Sequence, residues 1–368
     1  MLVVCPSCGT REDLAPERWR CGCGGAWEPL SSADFDPELI DTKDASLWRY
    51  LRLFDLDLQS EPTRLNAGWT PLLPGVVRDC RVFLKVEYIA PTGSFKDRGT
   101  ELMVNLLASQ GVRRVTDDSS GNAGASVAAY AARLGMESAI YVPAHASPAK
   151  QAQIACYGAS VLAVPGPRQQ AKEAALNAVD NGWIPAFHAY HPAFLLGQET
   201  VAWEIWEQLG RHVPDWYVVP VGQGVHLLGA WLGWKRLQEA GRIGRLPRLA
   251  AIQAAAVAPV CRAYAKGSRS VAPVEPLGTS VAEGLAIAAP VRGDRLLEAL
   301  RDTNGICVQV DDREILAAQT DLAHQGFYVE PTSASAVAAI DSVRRIAGES
   351  AVVIVALTGS GLKGSPKP

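Results

Sequence analysis

The strongest constraint on the fold is a regular alternation of short apolar segments with longer helical segments after residue 96. Strands that are separated by helices form parallel βαβ units with right-handed crossovers, and such units build an open α/β sheet. Ligands of these sheets bind at the carboxyl ends of the strands. The predicted helices are 97–110, 123–134, 148–157 and 168–181, and the predicted strands are 112–116, 138–142 and 160–164.

A second series of strands and helices follows in the last 150 or so residues, so the class is α/β with two open parallel sheets. The chain has 368 residues, 48% of them hydrophobic, and a net charge of −3. That length suits about two domains plus a smaller piece. No run of charge indicates nucleic acid or an anionic membrane as a partner. The predicted strands are 215–220, 249–253, 306–310 and 352–357, and the predicted helices are 258–266, 293–301 and 313–325.

A lysine stands where one short apolar segment turns into a helix. In the run 91–99, Pro91 and Gly93 impose a turn, and Ser94 is the expected N-cap. Lys96 then falls in the first helical turn, where the helix dipole disfavours a cation. That position should lower the pKa of the amine and favour the neutral form that a Schiff-base lysine needs. A solvated lysine is the ordinary alternative.

Two further loops follow strands and contain glycine. The first is 119–124, in which Asn122 can hydrogen-bond a phenolic oxygen or a carboxylate, although a simple turn with a cap has the same pattern. The second is 221–226, which connects a buried strand to a helix. Its backbone N–H groups and the helix dipole suit a dianionic phosphate.

Four of the eight cysteines form two close pairs near the start of the chain. Paired thiolates on glycine-rich turns suit a tetrahedral zinc ion with a structural role, and a ribbon that has kept its thiols without a metal is the alternative. The zinc ligands would be Cys5, Cys8, Cys21 and Cys23. The scattered cysteines are expected to be reduced core thiols of a cytoplasmic protein, at positions 80, 156, 261 and 307.

The run around Lys96 closely resembles the lysine segment of fold-type II pyridoxal phosphate enzymes, and most closely that of the threonine synthases. Loops around Asn122, Gly222 and Thr358 occur in the order of that family, so the resemblance covers roughly residues 65–364. The N-terminal cysteine pairs also resemble those of many threonine synthase relatives. The resemblance implies a zinc-ribbon-like segment (1–30), a larger cofactor-binding domain (31–96 with 190–368) and a smaller mobile domain (97–189).

The resemblance also implies roles for individual residues. Lys96 would carry pyridoxal 5′-phosphate covalently, Asn122 would bind its 3′-oxygen, and the hydroxyl of Thr358 would face its ring nitrogen. The cofactor phosphate would be held by Gly222, Gln223, Gly224, Val225 and His226. The substrate would be bound by Ser119, Ser120, Gly121, Ala123, His188 and Tyr190.

Several positions depart from the family pattern. Ala123 stands where the family has Thr, while Ala189 and Phe194 stand where a Ser and an Arg help to hold the substrate's phosphate. An alanine and a phenylalanine cannot bind phosphate. O-phosphohomoserine is therefore either not the natural substrate or is held by other groups. His188, His191 and Tyr190 would instead bind a less charged leaving group, unless they serve only in packing.

The predicted function is elimination or replacement at the β or γ carbon of an amino acid by a pyridoxal-phosphate-dependent lyase similar to threonine synthase. One alternative is a threonine or serine dehydratase-like ammonia-lyase, and another is a replacement synthase that uses a non-phosphorylated substrate. A non-catalytic cofactor-binding sensor or zinc-ribbon interaction module is disfavoured by the intact Lys96, Asn122 and Thr358. The resemblance also implies a homodimer with a small-molecule amino-acid substrate.

Overall fold

The computed structural model describes residues 1–30, 34–166 and 168–364. These residues form two compact units. The first contains the described residues of 1–68, 90–197 and 363–364, and the second contains Trp69–Ile89 and Gln198–Leu362. The predicted division into domains and the predicted mobility of the smaller domain stay predictions.

The regular elements are the following. The strands are β1 (Leu2–Val4), β2 (Arg11–Asp13), β3 (Glu28–Pro29), β4 (Leu72–Val77), β5 (Cys80–Lys85), β6 (Arg114–Asp117), β7 (Glu137–Pro143), β8 (Ser160–Val164), β9 (Ile184–Pro185), β10 (Trp216–Pro220), β11 (Arg248–Ala254), β12 (Ile306–Val310) and β13 (Val353–Ala356). The α-helices are α1 (Lys96–Ser109), α2 (Asn122–Arg133), α3 (Pro148–Cys156), α4 (Arg168–Asp180), α5 (Pro192–Gln208), α6 (Val225–Glu239), α7 (Pro259–Ala265), α8 (Gly293–Asp302), α9 (Asp312–His324), α10 (Pro331–Ala338) and α11 (Ile340–Ala347).

The first unit is built on a parallel sheet in the order β8-β7-β6-β9. The predicted alternation between residues 97 and 181 is confirmed, with boundaries that differ by a few residues. An alanine-rich α2 is buried along most of its length because small side chains let the helix approach its neighbours closely. A separate antiparallel sheet, β2-β1-β3, carries the N-terminal cysteines.

The second unit is built on a sheet in the order β12-β11-β10-β13-β5-β4. Every pair in it is parallel except β4 and β5, which form an antiparallel edge. Only Arg78 and Asp79 connect these two strands, both with positive φ (+47° and +60°). Two residues make a hairpin, whereas a parallel pair needs a crossover of about a dozen residues or more.

The core of the second unit is formed by strands that are apolar on both faces. All five residues of β10 and all four of β13 are buried, as expected for parallel strands that are covered by helices on both sides. Helices α10 and α11, which the sequence analysis did not predict, add buried alanine, valine and isoleucine side chains to this core. The predicted α/β class is therefore confirmed, together with its two sheets.

One predicted cysteine state was wrong. Cys261 in α7 and Cys307 in β12 form a disulfide, with their Cα atoms 5.0 Å apart, whereas reduced thiols were expected. The 46-residue separation hides this proximity in the sequence. Cys80 and Cys156 are free thiols, as predicted, but Cys80 is only partly buried and Cys156 is exposed, so the prediction that they lie in the core was wrong. Among the helices that the structure describes, none has the length and apolar character needed to cross a lipid bilayer.

Candidate active site

Lys96 is the first residue of α1 and follows a turn that depends on glycine. Gly93 has φ of +83°, a left-handed conformation that other residues adopt only with strain. The amine Nζ of Lys96 lies 4.4 Å from the centre of the Phe95 ring and 5.7 Å from that of Phe194. The helix N-terminus disfavours a cation, but aromatic faces attract one. The lowered pKa that was expected from the dipole alone therefore stays a prediction.

The side chain of Ser94 does not cap α1, so that prediction was wrong. The residue before the helix is Phe95, which is already in a helical conformation (φ −54°, ψ −17°) and makes no side-chain capping bond. Ser94 contributes its backbone carbonyl instead, which accepts the N–H of Asp97 at 3.3 Å. Its hydroxyl is buried and has no hydrogen-bond partner among the described residues.

Asp97 fixes the lysine turn from its buried side. Its carboxylate accepts the backbone N–H and the hydroxyl of Thr92 and the hydroxyl of Ser126, each at 2.6 Å. Burial raises the pKa of Asp97, while these hydrogen bonds and the charge of Lys363 oppose that rise. Lys363 also donates to the carbonyl oxygen of Thr92 at 2.8 Å. The turn that presents Lys96 is therefore held at both its backbone and its side chains.

The loop 119–121 leads from β6 into α2, directly ahead of Asn122. A Cβ on Gly124 would lie 1.9 Å from the carbonyl oxygen of Ser119, so only glycine lets the helix begin this close to the loop. The N–H of Gly121 donates to the hydroxyl of Ser119 at 3.3 Å. Since Ser126 of α2 donates to Asp97, the same helix joins this loop to the lysine turn. The two motifs that were separate in the sequence are thus connected in the first unit.

His188 is buried beside the lysine segment. Its ring centre lies 5.6 Å from that of Phe194. Burial lowers the pKa of His188 well below its usual value, and the positive charges of Lys96 and Arg168 lower it further. The imidazole is therefore neutral at neutral pH, so it can donate or accept a hydrogen bond without adding charge.

The low pKa of His188 predicts a pH-dependent stability difference. Its folded-state pKa lies below the unfolded value of about 6.5, so the unfolded chain gains a proton first as the pH falls. The native state should lose up to about 1.4 kcal/mol per pH unit below about 6.5, until the folded-state pKa is reached. Replacing His188 with glutamine should remove this loss. Urea unfolding of both proteins between about pH 7.5 and 5.5 measures it, and parallel profiles would contradict the assignment.

Apolar side chains fill the two positions where the resemblance led us to look for a phosphate clamp. Phe194 is fully buried and Ala189 nearly so. A Cβ on Gly99 would lie 2.5 Å from the Phe194 ring, so the ring lies directly against the first turn of α1. Position 194 is thus a packing position, and it brings no cation or hydroxyl to the lysine segment.

The glycine loop of the second unit runs from β10 into α6. Gly224 has φ of +76°, and a Cβ there would meet the Leu296 side chain at 2.4 Å. A Cβ on Gly222 would lie 2.2 Å from the carbonyl oxygen of Gly284. Neither position has room for a larger residue. The loop therefore brings bare backbone to the N-terminus of a 15-residue helix, a typical anion-binding arrangement.

Two side chains of this loop are engaged inside the protein. The amide oxygen of Gln223 accepts the N–H of Val291 at 3.0 Å. The buried ring of His226 contacts the Tyr217 hydroxyl through Nε2 at 2.7 Å and the Gln198 oxygen through Nδ1 at 2.8 Å. Because an amide oxygen only accepts, Nδ1 carries the proton and Nε2 accepts from the tyrosine. These side chains hold the loop, so any anion would be bound by backbone N–H groups.

Thr358 follows β13 and has a buried hydroxyl. Its N–H donates to the Ser333 hydroxyl at 2.8 Å, while its own hydroxyl has no hydrogen-bond partner within the described part of the chain. A buried, unsatisfied hydroxyl is costly unless it meets a further group. The neighbouring Ser360 hydroxyl accepts the N–H of Leu362 at 3.2 Å, so Thr358 rather than Ser360 is the better candidate to contact a ligand.

The four N-terminal cysteines converge, with all four sulfur atoms within 4.8 Å of one another. The Cys5 and Cys23 sulfurs are 3.5 Å apart, and those of Cys8 and Cys21 are 3.6 Å apart. Zinc at about 2.3 Å from each thiolate needs sulfur separations of about 3.8 Å. A Cβ on Gly25 would lie 2.8 Å from the Cys5 sulfur, so the loop closes tightly on the cluster.

Sequence reasoning missed the buried side chains whose hydrogen bonds fix the lysine turn. Thr92, Asp97 and Ser126 form one buried cluster, although Thr92 and Ser126 are far apart in the chain. An acidic residue next to a lysine candidate at a helix start was the available signal. Tyr190 is half-buried and lies edge-on to Trp19, with ring centres 4.9 Å apart. Its predicted contact with substrate stays a prediction.

Comparisons with known proteins give a consistent result. A family model described as pyridoxal-phosphate dependent enzyme matches residues 63–359. The threonine synthase of Methanocaldococcus jannaschii is 32% identical over 377 residues, covering 99% of this chain and 93% of that protein. The threonine synthase of Synechocystis sp. is 34% identical, covering 83% and 79%. A solved threonine deaminase from T.th. has a TM-score of 0.67 and 26% identity, covering 81% of this chain and 94% of that one.

Proposed function

Because this chain belongs to the threonine synthase family of pyridoxal-phosphate-dependent enzymes, we propose that it eliminates or replaces a substituent at the β or γ carbon of an amino acid. It is a pyridoxal-phosphate-dependent lyase. The observation that carries the proposal is the position of Lys96, at the head of α1 and on a turn that is fixed by buried hydrogen bonds.

The residues present fit pyridoxal phosphate. The buried hydroxyl of Thr358, which meets no partner in the described residues, suits a ring nitrogen. The backbone at Gly222 and Gly224, where a Cβ would clash, suits a phosphate at the N-terminus of α6. When bound, the cofactor supplies a conjugated ring that stabilises the negative charge left when the α-proton departs.

The protein's own groups would divide the work as follows. The amine of Lys96 would hold the cofactor, and it would also move the α-proton of the substrate. The backbone N–H groups of 119–121, next to the start of α2, bind the substrate carboxylate. The hydroxyl of Thr358, in place of a carboxylate, would contact the ring nitrogen without protonating it, so the bound cofactor would withdraw electrons more mildly.

The leaving group is proposed to carry less charge than a phosphate. The support is Phe194, which is fully buried against Gly99 and cannot pair with a dianion. The neutral imidazole of His188 lies in the same segment and can donate a hydrogen bond to an uncharged or singly charged leaving group. An ammonia-lyase acting on serine or threonine is the second candidate, favoured by the same apolar packing at position 194.

A substrate panel tests the proposal. Purified holoenzyme would be incubated with O-phosphohomoserine, serine, threonine and O-acetylated or O-succinylated amino acids. Phosphate, keto acid and new amino acids would be measured by colorimetry and chromatography. We expect turnover of at least one non-phosphorylated amino acid. Release of phosphate together with threonine formation would overturn the inference from Phe194, and silence with every amino acid would overturn the proposed function.

We also propose that the four N-terminal cysteines bind one structural zinc ion. Four thiolates leave no open coordination position, so the metal would stabilise the ribbon without taking part in the reaction. Metal analysis of the purified protein should find about one zinc per chain. The double variant Cys8→Ser and Cys23→Ser should lose it, whereas Cys156→Ser, an exposed free thiol elsewhere, should not. Equal zinc contents in all three proteins would contradict the assignment.

The family resemblance further supports a homodimer that acts in the cytoplasm on a small-molecule substrate. Light scattering of the purified protein should give about twice the 39.2 kDa mass of the chain. A mass equal to one chain at all concentrations would exclude the dimer.

A further inference from the structure

A tight turn presents His188 to the lysine segment. The N–H groups of Tyr190 and His191 both donate to the carbonyl oxygen of Phe187, at 2.9 and 3.0 Å. Phe187 and Tyr190 are therefore the two ends of the turn, and His188 and Ala189 form its tip. The imidazole at this tip is buried and close enough to Lys96 for the lysine charge to lower its pKa.

The indole of Trp19 packs against both ends of this turn. Its ring centre lies 5.3 Å from that of Phe187, with the planes at 89°, and 4.9 Å from that of Tyr190, with the planes at 80°. Edge-to-face arrangements at these distances are favourable aromatic contacts. Trp19 is 8% exposed and forms a buried cluster with Phe187 and Ala175 of α4.

Trp19 belongs to the cysteine ribbon and not to the α/β sheet that carries the turn. It lies two residues before Cys21, whose N–H donates to the carbonyl oxygen of Gly25 at 2.9 Å. The indole N–H of Trp27 donates to the carbonyl oxygen of Arg18 at 2.8 Å, which fixes the backbone beside Trp19. The position of the Trp19 ring is therefore set by the fold of the cysteine cluster.

We propose that Trp19 is a positioning residue through which the N-terminal ribbon holds the turn 187–190 and thereby places His188 for substrate. This inference rests on the proposed function. The ribbon then affects the site as well as the stability of the protein, because the contacts that keep its four cysteines together also fix the conformation of the turn 187–190. The substrate class concerned is an amino acid whose side-chain leaving group reaches the tip of the turn.

Steady-state kinetics of Trp19 variants test the proposal. Trp19→Ala should raise KM for the best substrate about tenfold with a smaller change in kcat, since misplacing a positioning group by about 1 Å can cost up to ~10²-fold. Trp19→Phe, which keeps an aromatic ring, should restore KM to within about threefold. The control is Phe54→Ala, which removes a buried ring that packs on Trp48 in the same unit. Equal KM changes in Trp19→Ala and Phe54→Ala would overturn the proposal.

Hydrogen exchange gives a readout that does not depend on activity. In Trp19→Ala the amides of residues 190 and 191 should exchange at least about tenfold faster than in wild type, because their shared acceptor is no longer held. The Cys8→Ser, Cys23→Ser double variant should show the same increase, and adding Trp19→Ala to it should add little, since both changes act through one contact. If residues 190 and 191 exchange at the wild-type rate in Trp19→Ala, the inference is overturned even if no substrate is found. If alanine prevents folding, Trp19→Leu replaces it in this test. If the wild type is inactive with every amino acid but Trp19→Ala still speeds exchange at residues 190 and 191, only the proposed function would be contradicted.

Discussion

Replacing Lys96 with alanine is expected to reduce turnover by at least about 10³-fold, because the same amine holds the cofactor and moves the α-proton. The visible absorbance of the lysine-bound cofactor should disappear as well. The fold should survive, since Thr92 and Asp97 make hydrogen bonds that hold the turn. Activity assays, absorbance spectra and circular dichroism of the two proteins measure these effects.

A second lysine variant serves as the control for Lys96. Lys266 caps the C-terminus of α7 and is exposed, so Lys266→Ala should keep both colour and activity. If Lys96→Ala retained the absorbance band and turnover, another amine would have to carry the cofactor, and the assignment of the site to this turn would be wrong. If both variants lost activity with altered circular dichroism, the loss would report unfolding and not chemistry.

The sequence was most informative where local pattern and tertiary structure agree. Strands β8 and β12 have the predicted bounds, and the other helices and strands from α1 to α4 differ from prediction by one or two residues at an end, because period and turn residues specify them locally. It was least informative where contacts join distant segments. The disulfide between Cys261 and Cys307 depends on how α7 lies beside β12. Helix α10 is rich in alanine and has little period, and helix α11 is amphipathic but only eight residues long.

The candidate site shows the same division. Lys96, the loop 119–121 and the glycine loop 222–224 could be proposed as site residues because glycine, proline and a helix start are recognisable in a sequence. The roles of side chains within those motifs were harder to predict. His226 was expected to help hold a phosphate, but its ring is hydrogen-bonded to the side chains of Tyr217 and Gln198. Which way a side chain points depends on neighbours from other elements, which one sequence does not reveal.

Replacing Lys85 with methionine is expected to lower the stability of the protein by about 3–5 kcal/mol. Lys85 is fully buried in β5, and its amine contacts the Glu204 carboxylate at 2.9 Å, the Gln208 amide oxygen at 2.9 Å and the Thr70 carbonyl oxygen at 2.6 Å. Methionine keeps the apolar stem but leaves Glu204, which is also fully buried, without the cation. An uncompensated buried charge is the costly outcome, so the melting temperature should fall by about 5–15 °C.

The partner variant separates the charge from the hydrogen bonds. The Glu204 carboxylate also accepts the N–H groups of Trp69 and Thr70, at 2.6 and 3.3 Å. A glutamine at position 204 keeps an accepting oxygen for these N–H groups but carries no charge. Adding Glu204→Gln to Lys85→Met should therefore recover more than half of the lost stability, whereas Glu204→Leu should not. Calorimetry of the holoprotein measures all three variants. A double variant no more stable than Lys85→Met would show that lost packing and hydrogen bonds account for the effect, and not the loss of the cation beside the Glu204 carboxylate.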